Sequence, residues 1–246
     1  MNEVIPVDAR FEFKFIEQST MLTGLDSWIA KHSAGFKTAY PPRFINNVYF
    51  DTWNYQAYWD NASGQSDRTK VRYRWYGDLL NPQSGTLEVK RRLNQMGWKE
   101  LYKIESPVFG LSDEASKPLR WSGIRSEIRR QLPGGGRKWF DAFPRPVLIN
   151  RYSRRYWESR DQKVRLTVDS HEKVFDQRFG ARPNLTKAAN LPQIVIIEIK
   201  CDREHRKVGA EIASTCPIRA SRHSKYVKGL LASAHTTSSA RDDFFR

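Results

Sequence analysis

The chain has 246 residues, of which 39% are hydrophobic and 13% aromatic, so it can bury a sizeable core as one large β-rich domain or two small ones. Lys and Arg number 42 against 27 Asp and Glu, and the resulting +15 implies an anionic partner: nucleic acid, an acidic membrane surface or phosphate-rich small molecules. Two cysteines, Cys201 and Cys216, exclude a disulfide framework or a cysteine zinc site. No signal peptide is read at the N-terminus, and the longest apolar run, 194–197, is far too short to span a bilayer, so a soluble cytoplasmic protein is expected.

Residues 10–16 alternate, with Arg10, Glu12 and Lys14 on one face and Phe11, Phe13 and Phe15 on the other, the period of a strand. Ser19 and Thr20 read as an N-cap pair for a helix carrying Leu22, Leu25, Trp28 and Ile29, expected to pack on the aromatic side of the sheet. Pro41-Pro42 breaks the chain before a second strand over 44–51; 52–58 reads as a turn or short helix, and 61–67 as a loop. In 70–76, Arg72, Arg74 and Tyr76 face one way and Val71, Tyr73 and Trp75 the other. Turn chemistry over 77–85 leads to a hairpin partner over 86–92, where Glu88, Lys90 and Arg92 oppose Leu87 and Val89. Another charged strand is read over 98–105.

Two short helices follow, one around Ser112 and one over 122–132, and Pro133-Gly134-Gly135-Gly136 reads as a break within the domain. Strands over 147–157 and 163–169 form a hairpin, with Arg165, Thr167 and Asp169 opposite Val164, Leu166 and Val168. An irregular segment, 178–192, precedes the most apolar strand, 194–200, where Glu198 and Lys200 share a face. Helices over roughly 206–215 and 225–234 close a single domain spanning 1–234, and the polar tail 235–246 reads as disordered.

The polar faces collect Arg10, Glu12, Lys14, Arg72, Arg74, Glu88, Lys90, Arg92, Arg165, Asp169, Glu198 and Lys200, eight basic residues and four acidic. One reading is an antiparallel sheet with a solvated face. Such a face would accept Ser, Thr, Gln or Asn as readily, yet these strands are biased to long ionic side chains. The other reading is an α+β fold: about eight antiparallel strands closed into a β-tunnel, with flanking helices over its aromatic exterior. Its lumen would be a basic channel suited to a polyanion with a divalent metal. Arginine forks grip phosphate oxygens, and carboxylates hold the Mg²⁺ or Mn²⁺ that bridges them.

Arg10-Phe-Glu-Phe-Lys14, Asn47-Val-Tyr-Phe-Asp51, Arg68-Thr-Lys-Val-Arg-Tyr-Arg74, Leu87-Glu-Val-Lys90, Asn150-Arg-Tyr152, Val164-Arg-Leu-Thr-Val-Asp169, Ile197-Glu-Ile-Lys200 and Ser224-Lys-Tyr226 occur in the order expected of the VTC domain. Over roughly 8–232 the chain resembles that family, the polyphosphate polymerase branch of the triphosphate tunnel metalloenzymes within the CYTH superfamily. The resemblance implies transfer of the γ-phosphoryl of ATP to a polyphosphate chain inside the tunnel, with Mn²⁺ or Mg²⁺. It assigns Lys14, Arg72, Arg74, Lys90, Arg151 and Arg165 to the catalytic basic wall, and Ser224 and Lys225 to phosphate binding; Arg10 and Lys200, on the same polar faces, are further phosphate-binding candidates. Glu198 matches the metal-binding glutamate. Glu12, Glu88 and Asp169 stand between second metal ligand and charge-balancing partner of the arginines.

Arg10 departs from the superfamily, which opens on a glutamate there, and the loss of a carboxylate leans toward the polymerase branch over a two-metal hydrolase. Membrane spans and the phosphate-sensing domain of the eukaryotic polymerases are not seen in this sequence, which leaves open a membrane partner protein. The alternatives are a tripolyphosphatase on the same tunnel and a non-catalytic polyphosphate-binding module. Nucleic acid is the outsider, because the basic residues alternate within strands and do not line an exposed helix or an aromatic stacking face.

Overall fold

A computed structural model describes residues 6, 9–80, 83–105, 108 and 119–236. There are nine strands, β1 (Arg10–Gln18), β2 (Lys37–Asp51), β3 (Asp67–Tyr76), β4 (Gly85–Leu93), β5 (Met96–Ile104), β6 (Arg145–Glu158), β7 (Val164–Asp176), β8 (Ala188–Ala189) and β9 (Ile194–Asp202); eight follow the alternation read above, and two-residue β8 lies in the segment read as irregular. All pair antiparallel, in the order β6-β2-β3-β4-β5-β1-β9-β7-β8. A further β6–β7 pairing joins the two flanks, so eight strands close into a ring and two-residue β8 is appended to β7. The ring is the expected β-tunnel. It has one thin seam: β1 pairs with β9 from end to end but meets β5 only at Arg10 and Gly97.

The outward faces supply the core. Val71, Tyr73 and Trp75 are fully buried beneath helices α3 (Trp121–Gln131) and α4 (Gly134–Ala142), through Trp121, Ile124, Ile128 and Phe140. Each such side chain removed from water stabilises by roughly 1.5–3 kcal/mol. On the other side α1 (Leu22–Lys31) and α5 (Arg206–Ser214) cover Phe15, Leu166, Val168 and Ile197 with Leu25, Ile29 and Ile212. The first helix therefore packs on the phenylalanine side as its spacing predicts. Asp51 ends β2 fully buried and ties three elements together. It accepts from the backbone N–H groups of Ala57 and Tyr58 at the start of α2 (Gln56–Ala62) and from the hydroxyl of Tyr226 in α6 (Lys225–Thr236).

Several local expectations are corrected. Pro41 and Pro42 lie inside β2: register shifts flank them, and only β6 pairs there, because β3 stops opposite Ile45. A strand with one free edge tolerates residues lacking an N–H. Ser19 and Thr20 cap nothing; they form a 3₁₀ turn leading into α1, with no side-chain cap bond at either start. The glycine triplet after Pro133 opens α4 and is no break. Gly136 is selected by space, since a Cβ there would sit 3.0 Å from Leu132 and 3.1 Å from the Tyr102 ring. The helix expected around Ser112 and the tail from 237 lie outside the described residues, and α6 runs two residues past its expected end.

Candidate functional site

Alternation turns Arg72 and Arg74 of β3, Glu88 and Lys90 of β4, Glu12 and Lys14 of β1, and Glu198 and Lys200 of β9 into one cavity of about 330 Å³. Eleven lysines and arginines line it against three glutamates. The ladders set who meets whom: Arg72 lies opposite Glu88, Lys14 opposite Glu198, Glu12 opposite Lys200, and Lys70 opposite Lys90. Like charges placed directly across a ladder repel, so the Lys70–Lys90 pairing favours an anion between them.

Two ionic clusters hold the wall. In the first, Glu88 accepts Arg72 Nε at 2.9 Å and Arg72 Nη2 at 2.6 Å with one oxygen, and meets Arg74 Nη1 at 3.0 Å with the other. These guanidiniums hold its carboxyl well below the usual range despite burial. Arg74 Nε also donates to Asn47 Oδ1 at 3.1 Å, which fixes the fork. In the second, Lys14 Nζ bridges Glu12 Oε1 at 2.7 Å and Glu198 Oε1 at 3.3 Å. Glu198 also meets Lys200 and, at 3.5 Å, Arg154. Asp169, directly behind, takes Arg154 at 2.5 Å and Lys225 at 2.5 Å.

The excess of cations shows in the lysines. Glu12 pulls the Lys90 ammonium up, but burial together with Lys14 and Lys200 outweighs it and holds Lys90 at about 8. Burial, then Lys90 and Lys14, pushes Lys70 well down; its Nζ donates to Ser224 Oγ at 2.9 Å. His223, also on the wall, is held at about 3 by burial and by Lys225 and Lys14. The wall therefore lacks the negative charge that would balance it.

Of the residues singled out in the sequence, Arg10, Glu12, Lys14, Arg72, Arg74, Glu88, Lys90, Glu198, Lys200, Ser224 and Lys225 line this cavity. Arg151 and Arg165 do not. Arg151 alternates out of register with Tyr152 and Arg154; it donates to Asn46 Oδ1 and the Gly77 carbonyl and lies over the Phe44 ring. Arg165 shares a face with Lys200, but its exposed head pairs with Glu158 at 3.1 Å. The structure supplies Arg154 in their stead, a residue the sequence reading passed over although it follows inward-facing Tyr152 by two. Lys70, Lys99, Tyr152 and Tyr226, given no role in the sequence reading, also line the wall, and so does Tyr49.

Among the described residues no three His, Cys, Asp or Glu side chains group as a metal cage. Glu88 is clamped between the guanidiniums of Arg72 and Arg74, whereas Glu12 meets only the flexible ammoniums of Lys14 and Lys90, and Glu198 meets Lys14, Lys200 and, at 3.5 Å, Arg154. Glu12 and Glu198 remain, joined through the single ammonium of Lys14 where a cation already lies between two carboxylates. That donor set fits a hard divalent ion completed by phosphate oxygens, as Mg²⁺ is commonly held by one or two carboxylates plus substrate phosphates. Bound there, the ion would neutralise phosphate charge.

The VTC domain model matches residues 9–234. The chain belongs to the VTC domain family. No curated protein matches it. Similar solved structures include a candidate adenylyl cyclase from Hippeastrum, described as having a dominant triphosphatase activity: 13% identity, 89% of this chain and 92% of that one, TM-score 0.47. A Pyrococcus horikoshii protein aligns at 10% identity over 91% and 99%, TM-score 0.47. A candidate adenylate cyclase from Vibrio parahaemolyticus aligns at 9% identity over 90% and 97%, TM-score 0.45. Among the described residues no helix of this VTC domain is long and apolar enough to cross a membrane.

Proposed function

We propose that this VTC domain is a metal-dependent polyphosphate polymerase, moving the γ-phosphoryl of ATP onto a polyphosphate chain within the tunnel. The observation that carries this is the closed ring whose cavity sets eleven cations against three carboxylates. Phosphoryl transfer asks the protein mainly for in-line positioning and charge neutralisation. Arg72 and Arg74, pre-set by Glu88 and Asn47, and Arg154, pre-set by Asp169, are rigid forks for equatorial phosphate oxygens. Lys14, Lys90, Lys200 and Lys225 add point charge along the path of a chain. Glu12 and Glu198 would hold Mn²⁺ or Mg²⁺ against the phosphates. Transfer over hydrolysis is supported by the state of the three glutamates lining the cavity, each of which is already engaged by cations. The terminal phosphate of a polyphosphate chain is already an anion and needs no base.

Purified protein given ATP and Mn²⁺ should build an acid-insoluble polymer that exopolyphosphatase degrades. Orthophosphate released from tripolyphosphate with no polymer would assign hydrolysis instead. Tight polyphosphate binding without turnover of any triphosphate would assign a binding module.

A further inference from the structure

We infer that the tunnel end formed by Tyr40, Arg43, Tyr76 and Tyr156 is a stacking seat for the nucleobase of a nucleoside triphosphate. The inference rests on the tunnel reading and deepens it, because it says which side chains would hold the base of the nucleotide donor. Tyr76 lies two residues beyond Arg74 on β3, and Tyr156 two beyond Arg154 on β6, so both continue the inward face of the wall. Arg43 of β2 pairs in register with Arg154, and Tyr40 with Tyr156. The register shifts around Pro41 and Pro42 let both side chains reach this end.

The guanidinium of Arg43 lies 4.3 Å from the Tyr76 ring centre, 5.0 Å from Tyr156 and 5.5 Å from Tyr40. Its Nε donates to the Tyr156 hydroxyl at 3.2 Å, and Tyr40 meets Tyr156 edge-on at 5.6 Å. Among the described residues no carboxylate forms an ion pair with Arg43. Tyr40 and Tyr76 nevertheless remain 53% and 47% exposed. Rings and a guanidinium plane already ordered, with open faces, are the elements on which single bases stack.

Phosphate would gain little from ring faces, whereas a planar heterocycle gains from both the rings and the cation. Two residues of strand, about 7 Å, separate this seat from the level of Arg74 and Arg154, a gap suited to a ribose between base and phosphates. At the other end of the cavity Lys70 of β3 and Arg92 of β4 project charge.

The test compares calorimetric binding of β,γ-imido-ATP and of imidotriphosphate, neither of which turns over, to the wild type, Tyr76→Ala, Tyr76→Trp and Tyr40→Ala. Tyr76→Ala should weaken β,γ-imido-ATP about tenfold and leave imidotriphosphate within about twofold. Tyr76→Trp should bind both like the wild type. Imidotriphosphate binding also reports that each variant is folded. If β,γ-imido-ATP binds equally well to the wild type, Tyr76→Ala and Tyr40→Ala while imidotriphosphate also binds, the seat is refuted and the tunnel stands. Equal weakening of both ligands would refute it as well. If the wild type binds neither ligand, the tunnel reading fails and takes the seat with it.

Discussion

Glu88 shows how a single carboxylate sets the cavity's character. Its side chain is 5% exposed and carries both Arg72 and Arg74. Removing one partner of a buried ion pair strands the other charges and costs about 3–5 kcal/mol. Glu88→Gln should therefore lower unfolding stability by roughly that amount in denaturant titration, and tripolyphosphate should return much of it by pairing with the freed guanidiniums. A variant as stable as the wild type without any anion would show that the forks are not held by this pair. A second carboxyl acts through pH. Burial lifts Glu172 from 4.5 to about 7, against the pull of Lys225 and its bond from Asn150. A carboxyl whose folded pKa is raised stabilises below its unfolded value, and that contribution is lost as pH rises through the folded one. Stability should thus decline between about pH 4.5 and 7, and Glu172→Gln, which keeps an acceptor for Asn150, should flatten that decline in melts taken across the window. At this scale the sequence was legible where alternation could be followed. Arg72 and Arg74 follow from it, whereas Arg151 rests on the Asn150-Arg-Tyr152 match alone and stands on the face opposite Tyr152 and Arg154. Glu172 had no signal, because it turns inward only through the register shift opposite Arg151 and Ser153, where His171 adopts a φ of 54°.

Element by element, hydrophobic periodicity named the strands, and backbone chemistry misled at their borders. Proline and glycine were read as stops, yet β2 runs through Pro41-Pro42 on a free edge and α4 starts on three glycines. Tertiary packing decided both, since Phe140 of α4 is fully buried against Phe50, with the rings 5.0 Å apart. The three glycines are consequently not equivalent. A Cβ at Gly134 meets nothing within 4 Å, so Gly134→Ala should stabilise by about 0.5 kcal/mol through lower chain entropy. Gly136→Ala should destabilise by about 1–3 kcal/mol, as overpacking against Leu132 and Tyr102 does. Thermal melts of the two variants should move in opposite directions; a rise in both would mean that Gly136 is not held by space.

For the whole molecule, closure of the sheet was inferred from an excess of ionic residues on one face, and the same excess governs stability. A chain of +15 with its cations concentrated in a closed lumen folds against its own repulsion. An anion that binds the folded state alone stabilises by mass action, about 2.7 kcal/mol at one hundred times Kd. For a domain of this length that corresponds to a Tm rise of roughly 5–10 °C. Generic screening would also raise Tm, because at about 1 M salt the Debye length falls to roughly 3 Å. The two causes separate by valence and by site. Tripolyphosphate with Mn²⁺ should shift Tm far more than sodium chloride at equal ionic strength, and Arg72→Ala/Arg74→Ala should lose that difference while keeping its response to chloride. If chloride reproduces the shift in the wild type, or the double variant retains it, the lumen is a charged wall relieved by any ion, and specific phosphate recognition in the tunnel falls.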